Sequence, residues 1–154
     1  MKKMVTQIRD LQHIEKELHT NPAGVLALNL KDEEIIQIAT TFLYQDKNVY
    51  FFLDNNDELY ENLKFETAVS FVIVRNERPM KNSKTDFIPV YSILSISIAG
   101  HIKKVDDNKL LTSIRKNYLK KYSSKSDEKE KSLKLNRVVF IDTEEIQAFE
   151  EMGG

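Results

Sequence analysis

The sequence predicts a mainly β (α+β) domain, an antiparallel barrel or sandwich of about six to seven strands with helices at its periphery. Three observations carry this. Apolar runs recur at Ile36–Phe42, Val49–Leu53 and Ala68–Val74, with the alternation of half-buried strands or the continuity of fully buried ones. Short polar turns separate them, and Gln45-Asp46-Lys47-Asn48 is the right length to close a hairpin. Helical spacing is confined to the front of the chain, one insertion and the last third. Contiguous hairpins favour a closed or nearly closed barrel.

Taken in order, Val5 to His19 sets Ile8, Leu11, Ile14 and Leu18 on one stripe, so residues 1–20 read as an amphipathic N-terminal helix. Pro22 and Gly24 end it. Val25–Leu30 is a first strand and Lys31-Asp32-Glu33 a turn. Ile36–Phe42 and Val49–Leu53 follow as second and third strands, sequential and antiparallel. Asp54-Asn55-Asn56 offers three helix N-caps, and Glu58 stands three residues after Asn55, the capping-box spacing. Leu59 and Leu63 share a face of this short helix. Strands that feed a helix N-terminus can present backbone N–H groups to a ligand. This corner is the one place where local chemistry points to a site.

Ala68–Val74 is a continuous apolar strand. Arg75–Asp86, with Arg75, Arg78, Lys81 and Lys84, reads as a long, mobile, basic loop. Ile88–Val105 is a long β segment in which Gly100 marks a bulge or bend. Asp106 or Asp107 caps a helix whose apolar face is Leu110, Leu111, Ile114, Tyr118 and Tyr122. Residues 123–133 form a mobile charged linker. Lys134–Ile141 is a last strand. Asp142 and Glu145 repeat the capping-box spacing and open a short helix through Phe149.

Composition narrows the function classes. The 154 residues suit a single domain, 41% of them are apolar and only four are glycine. A net charge of −1 argues for neither nucleic acid nor an acidic membrane as partner. The absence of cysteine excludes disulfides, thiol nucleophiles and thiolate metal sites. No apolar run approaches the roughly 20 residues that span a bilayer, and no apolar segment follows the N-terminal lysines. The expectation is a soluble, cytoplasmic protein. His13 and His19 are six apart, a poor metal spacing on a helix, so no metal site is expected. G-x-S-x-G, P-loop and G-x-G-x-x-G patterns are absent, and no catalytic residue can be named.

The order of pieces resembles one family. Ala23-Gly24-Val25-Leu26-Ala27 begins a strand, and a hairpin ends in Val49-Tyr50-Phe51-Phe52. Asn62-Leu63 closes a short helix just before Ala68-Val69-Ser70-Phe71. A later strand ends in Ile98-Ala99-Gly100-His101-Ile102-Lys103-Lys104-Val105-Asp106, ahead of a helix with Tyr118 and Tyr122. This is similar to the pyridoxamine 5′-phosphate oxidase-like, FMN-binding split-barrel family, over roughly Ala23 to Phe149. The resemblance implies a split antiparallel barrel, a homodimer, and FMN at the subunit interface, hence an oxidoreductase-like flavoprotein acting on a small molecule. By position it assigns the cofactor to Gln37, Thr40 and Thr41 on the second strand, Phe52 on the third, and Asn55, Asn56, Asp57 and Leu59 at the helix start. Relatives that hold FMN tightly carry a basic residue on the second strand, where this chain offers Gln37, and Ser then Lys or Arg at the helix start, where it has Asp57 and Leu59. Arg75, Arg78 or Lys81, from this or the partner subunit, can supply the counter-ion. With no tryptophan and no C-terminal Arg-and-His pair, oxidation of pyridoxamine 5′-phosphate itself is not expected. The alternative is a split-barrel binding protein that lacks FMN or binds haem, and His101 is the histidine the haem reading points to.

Overall fold

The computed structural model describes residues 2–77, 88–122 and 135–154. The charged linker expected at 123–133 lies outside them, as does the basic stretch from residue 78 on. Eleven elements follow in order: β1 Lys3–Ile8, α1 Leu11–Thr20, β2 Gly24–Asn29, β3 Ile35–Thr40, β4 Leu43–Gln45, β5 Asn48–Phe52, α2 Asp57–Asn62, β6 Ala68–Glu77, β7 Tyr91–Lys104, α3 Asn108–Tyr122 and β8 Val138–Gly153. All strands join one antiparallel sheet in the order β3-β2-β6-β7-β8-β5-β4, and β1 adds to β8. The edge strands β3 and β4 are consecutive in the chain, with only Thr41 and Phe42 between them. Three Cα steps span at most about 11 Å. The sheet therefore curls until its edges nearly meet, which gives a barrel split at the β3–β4 seam, the expected fold class.

Side-chain alternation fills the barrel. Leu26, Leu28, Phe51, Phe71, Ile96, Ile98, Ile102 and Ile141 are buried in one cluster with Phe42. Phe71 meets Phe42 and Phe51 edge-on, at centroid separations of 4.9 and 5.0 Å, the favoured aromatic geometry. On β5, Val49 and Phe51 point into this core. Tyr50 and Phe52 face the other way, into a second cluster with Ile114 and Tyr118 of α3. Burial on both faces explains the unbroken apolar run at 49–53.

Four readings are corrected. Residues 3–8 are a strand, because the free edge of β8 pairs them from Lys3↔Gly153 to Ile8↔Ala148. The helix starts only after Asp10, whose carboxylate accepts from Gln12 N–H at 3.1 Å. The C-terminal helix does not form. Residues 145–153 pair with β7, and 148–153 with β1 on the other side, a ladder that outweighs one capping box, and Asp142 pairs with Lys103 at 2.8 Å instead. The second strand breaks at the seam, so β3 and β5, expected side by side, lie at opposite ends of the sheet. Arg75 belongs to β6, which runs on to Glu77 against Ser92 of β7.

Other expectations hold. Asp46 and Lys47 both have positive φ, 51° and 66°, the geometry of a type I′ hairpin turn. The β7–β8 register shifts between Ala99 and Gly100, where a Cβ on Gly100 would collide with the Asp142 carbonyl. Asp107 caps α3, accepting from Lys109 N–H at 2.9 Å.

Candidate functional site

The seam makes a cleft. The end of β3 and the joint supply Ile38 to Thr41. The exit of β5 supplies Phe52 to Asn56, and α2 adds Leu59. Tyr118 and Leu119 of α3 close one side, and Leu135 another. The volume, about 660 Å³, is that of a small-molecule pocket.

Backbone chemistry sets these walls. Asn56, rather than Asn55, is the N-cap of α2, and its Oδ1 accepts from Leu59 N–H at 3.1 Å. Asp54 lies in the wall, and its Oδ1 accepts from Asn136 N–H at 2.6 Å and Arg137 N–H at 3.1 Å. Leu53 N–H donates to the Arg137 carbonyl at 2.9 Å. The lead-in to β8 is thus fastened across the mouth of β5. Asp54 Oδ2 is buried without a hydrogen-bond partner. The rings of Phe52 and Tyr118 pack at 4.0 Å. Tyr118 Oη and Thr41 Oγ1 are 2.8 Å apart.

Behind the cleft, α3 ties the joint itself. Tyr122 Oη accepts from Phe42 N–H at 3.1 Å. It lies 2.9 and 2.8 Å from the carbonyls of Phe42 and Pro22, to one of which it donates. Burial pushes this phenol up to about 12. Lys121 donates to the Phe42 carbonyl at 3.1 Å with its ammonium 3.7 Å from the Phe42 ring centre. Burial lowers its pKa to about 8.

Thr40, Thr41, Phe52, Asn55, Asn56 and Leu59, six of the residues singled out in the sequence, are brought together here. Gln37 is exposed on the outer face of β3, opposite Ile38. Asp57 lies outside the lining and pairs with Arg137 Nε at 2.7 Å. That guanidinium, also 4.9 Å from the Tyr60 ring centre, is the counter-ion at the acidic corner. Arg75 is committed to Glu17 and Glu77, at 3.1 and 2.6 Å, while Arg78 and Lys81 lie outside the described residues. His101 pairs with Glu144 on the barrel surface. Sequence reasoning placed Asp54 at this corner as a helix cap and did not include Tyr118 in it. The available signal was tyrosine at two positions of a buried helical face, since a buried phenol needs a partner.

Comparisons with known proteins place this geometry. No curated protein matches the sequence. Among solved structures, the FAD-binding protein from Mycobacterium smegmatis is similar with a TM-score of 0.68 and 13% identity, over 97% of this chain and 100% of that one. An FAD-binding protein from Mesorhizobium loti gives a TM-score of 0.61 at 17% identity, over 97% and 98%. A haem storage protein from Vibrio cholerae gives 0.60 at 12%, over 90% and 94%. At these identities the likeness is one of fold. Residues 10–150, almost the whole chain, match the pyridoxamine 5′-phosphate oxidase family, and the chain belongs to that family.

Proposed function

We propose that the protein binds a flavin in the seam cleft and uses it for oxidation–reduction of a small molecule. FMN is the flavin that the family resemblance implies. The observation that carries this reading is the coincidence of the cleft with the family's cofactor positions, at Thr40, Thr41, Phe52, Asn55, Asn56 and Leu59. The two FAD-binding proteins of the same fold support it. The residues present fit the ring and sugar parts of such a molecule. Phe52, Leu59, Tyr118 and Leu119 offer apolar and aromatic wall. The hydroxyls of Thr40 and Thr41 and the amides of Asn55 and Asn56 offer hydrogen bonds. When bound, the flavin supplies the electron transfer, and the chain supplies orientation and exclusion of water. Thr41, held by Tyr118, is the residue positioned to orient the ligand against the α3 wall.

A homodimer belongs to this reading. Val25 on β2, Ile35 on β3 and Val74 on β6 are 37%, 74% and 57% exposed. The ladder register puts them on one outer face with Ala39 and Val72, an apolar patch that a second copy would cover. A haem-binding module is the second reading, favoured by the haem storage protein. The pairing of His101 with Glu144 weighs against that histidine as its ligand.

Absorption spectra with titrations of FMN and haemin test both. Saturable micromolar FMN binding is expected, and Thr41→Val should weaken it by about tenfold, the worth of one or two hydrogen bonds. An unchanged affinity removes Thr41 from the site. A Soret band with haemin and no flavin binding replaces the first reading by the second.

A further inference from the structure

We propose that this cleft holds a flavin by its ring and ribityl hydroxyls without reading the 5′-phosphate, so that riboflavin binds as well as FMN does. This rests on the flavin reading above and narrows it. Among the described lining residues there is one carboxyl side chain, Asp54, and no lysine or arginine. It cannot swing aside, because its Oδ1 is held by Asn136 N–H and Arg137 N–H at 2.6 and 3.1 Å. Its Oδ2 is buried without a hydrogen-bond partner. A phosphate dianion brought beside this fixed carboxylate has no proton to give and meets like charge.

The start of α2 does not compensate. The helix has six residues, too few for a strong dipole. Its Leu59 N–H is already bonded to Asn56 Oδ1, and Tyr60 N–H to the Asn56 carbonyl at 3.1 Å. Asp57 and Glu58 add negative charge to the first turn. Arg137 stands outside the lining, turned onto Asp57 at 2.7 Å and stacked on Tyr60. The corner is thus electrostatically closed within itself. What the described lining presents to a ligand is ring surface from Phe52 and Tyr118, neutral hydrogen-bonding groups and the Asp54 carboxylate.

The test is a pair of fluorescence-quenching titrations of the full chain, with riboflavin and with FMN, at about 50 and about 300 mM salt. The two affinities are expected to agree within about threefold, or 0.6 kcal/mol by the affinity relation, and to be insensitive to salt. FMN binding tighter than riboflavin by about tenfold, and weakening with salt, overturns the inference while leaving the flavin reading intact. Failure of both flavins to bind overturns the two together. Asn55→Lys places a cation on the exposed rim of the cleft. It should give FMN an advantage of about tenfold over riboflavin, with the circular dichroism of the parent. If FMN gains nothing in that variant, the unread phosphate does not lie at this corner and the stated cause falls.

Discussion

The two sides of this barrel are held by different forces. On the seam side, the β3–β4 joint is fixed by ring packing, by Tyr122 on the Phe42 backbone and by Tyr118 on Thr41. On the far side, where β1, the end of β6 and α1 meet, charge does the fastening. Lys3 pairs with Glu151 at 3.0 Å, and Arg75 bridges Glu17 and Glu77. Glu17 is 5% exposed and also accepts from Asn21 Nδ2 at 3.1 Å. The difference teaches where a fold can place fixed charge. Ion pairs are strong and directional, but they leave a field that any ligand must meet. The candidate cleft lies on the side that is sewn together mostly by neutral groups.

Three substitutions break or sharpen this contrast. The largest effect is expected from Phe42→Ala, which empties a fully buried site at the joint. It should destabilise the protein by about 3–5 kcal/mol in urea unfolding and abolish flavin binding even where the fold survives. A loss below about 1 kcal/mol would show that the joint relaxes freely and that closure of the seam depends on something else. On the far side, Glu17→Gln keeps the packing but removes the charge facing Arg75. A loss of about 1–2 kcal/mol is expected, because the partner is partly exposed, and flavin affinity should not change. Added salt should shrink the difference between parent and variant. A change in flavin affinity would end the separation of the two sides.

The smallest effect concerns pH. The pKa of Lys121 is lowered to about 8 in the folded protein, against 10.5 for an ordinary lysine. Between those values the unfolded chain holds the extra proton, so stability rises with pH across that window. Tyr122 acts oppositely. Its pKa rises to about 12 from 10, so above pH 10 the unfolded chain loses its proton first and stability falls. Lys121→Met should flatten the rise below pH 10 in thermal melts and leave the fall above it. An identical profile in the variant would assign the rise to another group.

Much of this architecture was legible in the sequence, and the failures share a cause. The Asp46-Lys47 turn and the Asp107 cap act through neighbours in the chain, the 49–53 run and Gly100 show their packing in residue type alone, and each did what that type predicts. The segments at 3–8 and 142–149 were misread because their conformation is decided by a partner about 145 residues away in one case and by β7, joined by β1 from Ala148 on, in the other. Local caps cannot compete with a ladder that is invisible locally. The site divides in the same way. Thr40, Thr41, Phe52, Asn55, Asn56 and Leu59, assigned by family position, lie close in sequence and line one cleft. Tyr118 and Asp54 act through contacts 77 and 82 residues long, to Thr41 and Asn136. Gln37 was placed by family position, but strand alternation turns it outward.

The placing of β8 has a consequence for how the chain comes off the ribosome. It is the last of the described strands, yet it lies inside the sheet, between β7 on one side and β5 and β1 on the other. Synthesis runs from the N-terminus, so β5 and β7 wait with open edges until residues 138–153 arrive. Vectorial folding can complete the β2–β3–β6–β7 ribbon early, but cylinder closure is postponed until β8 has emerged. Nascent chains stalled before β8 therefore carry the unpaired edges that holdase chaperones and edge-to-edge aggregation compete for.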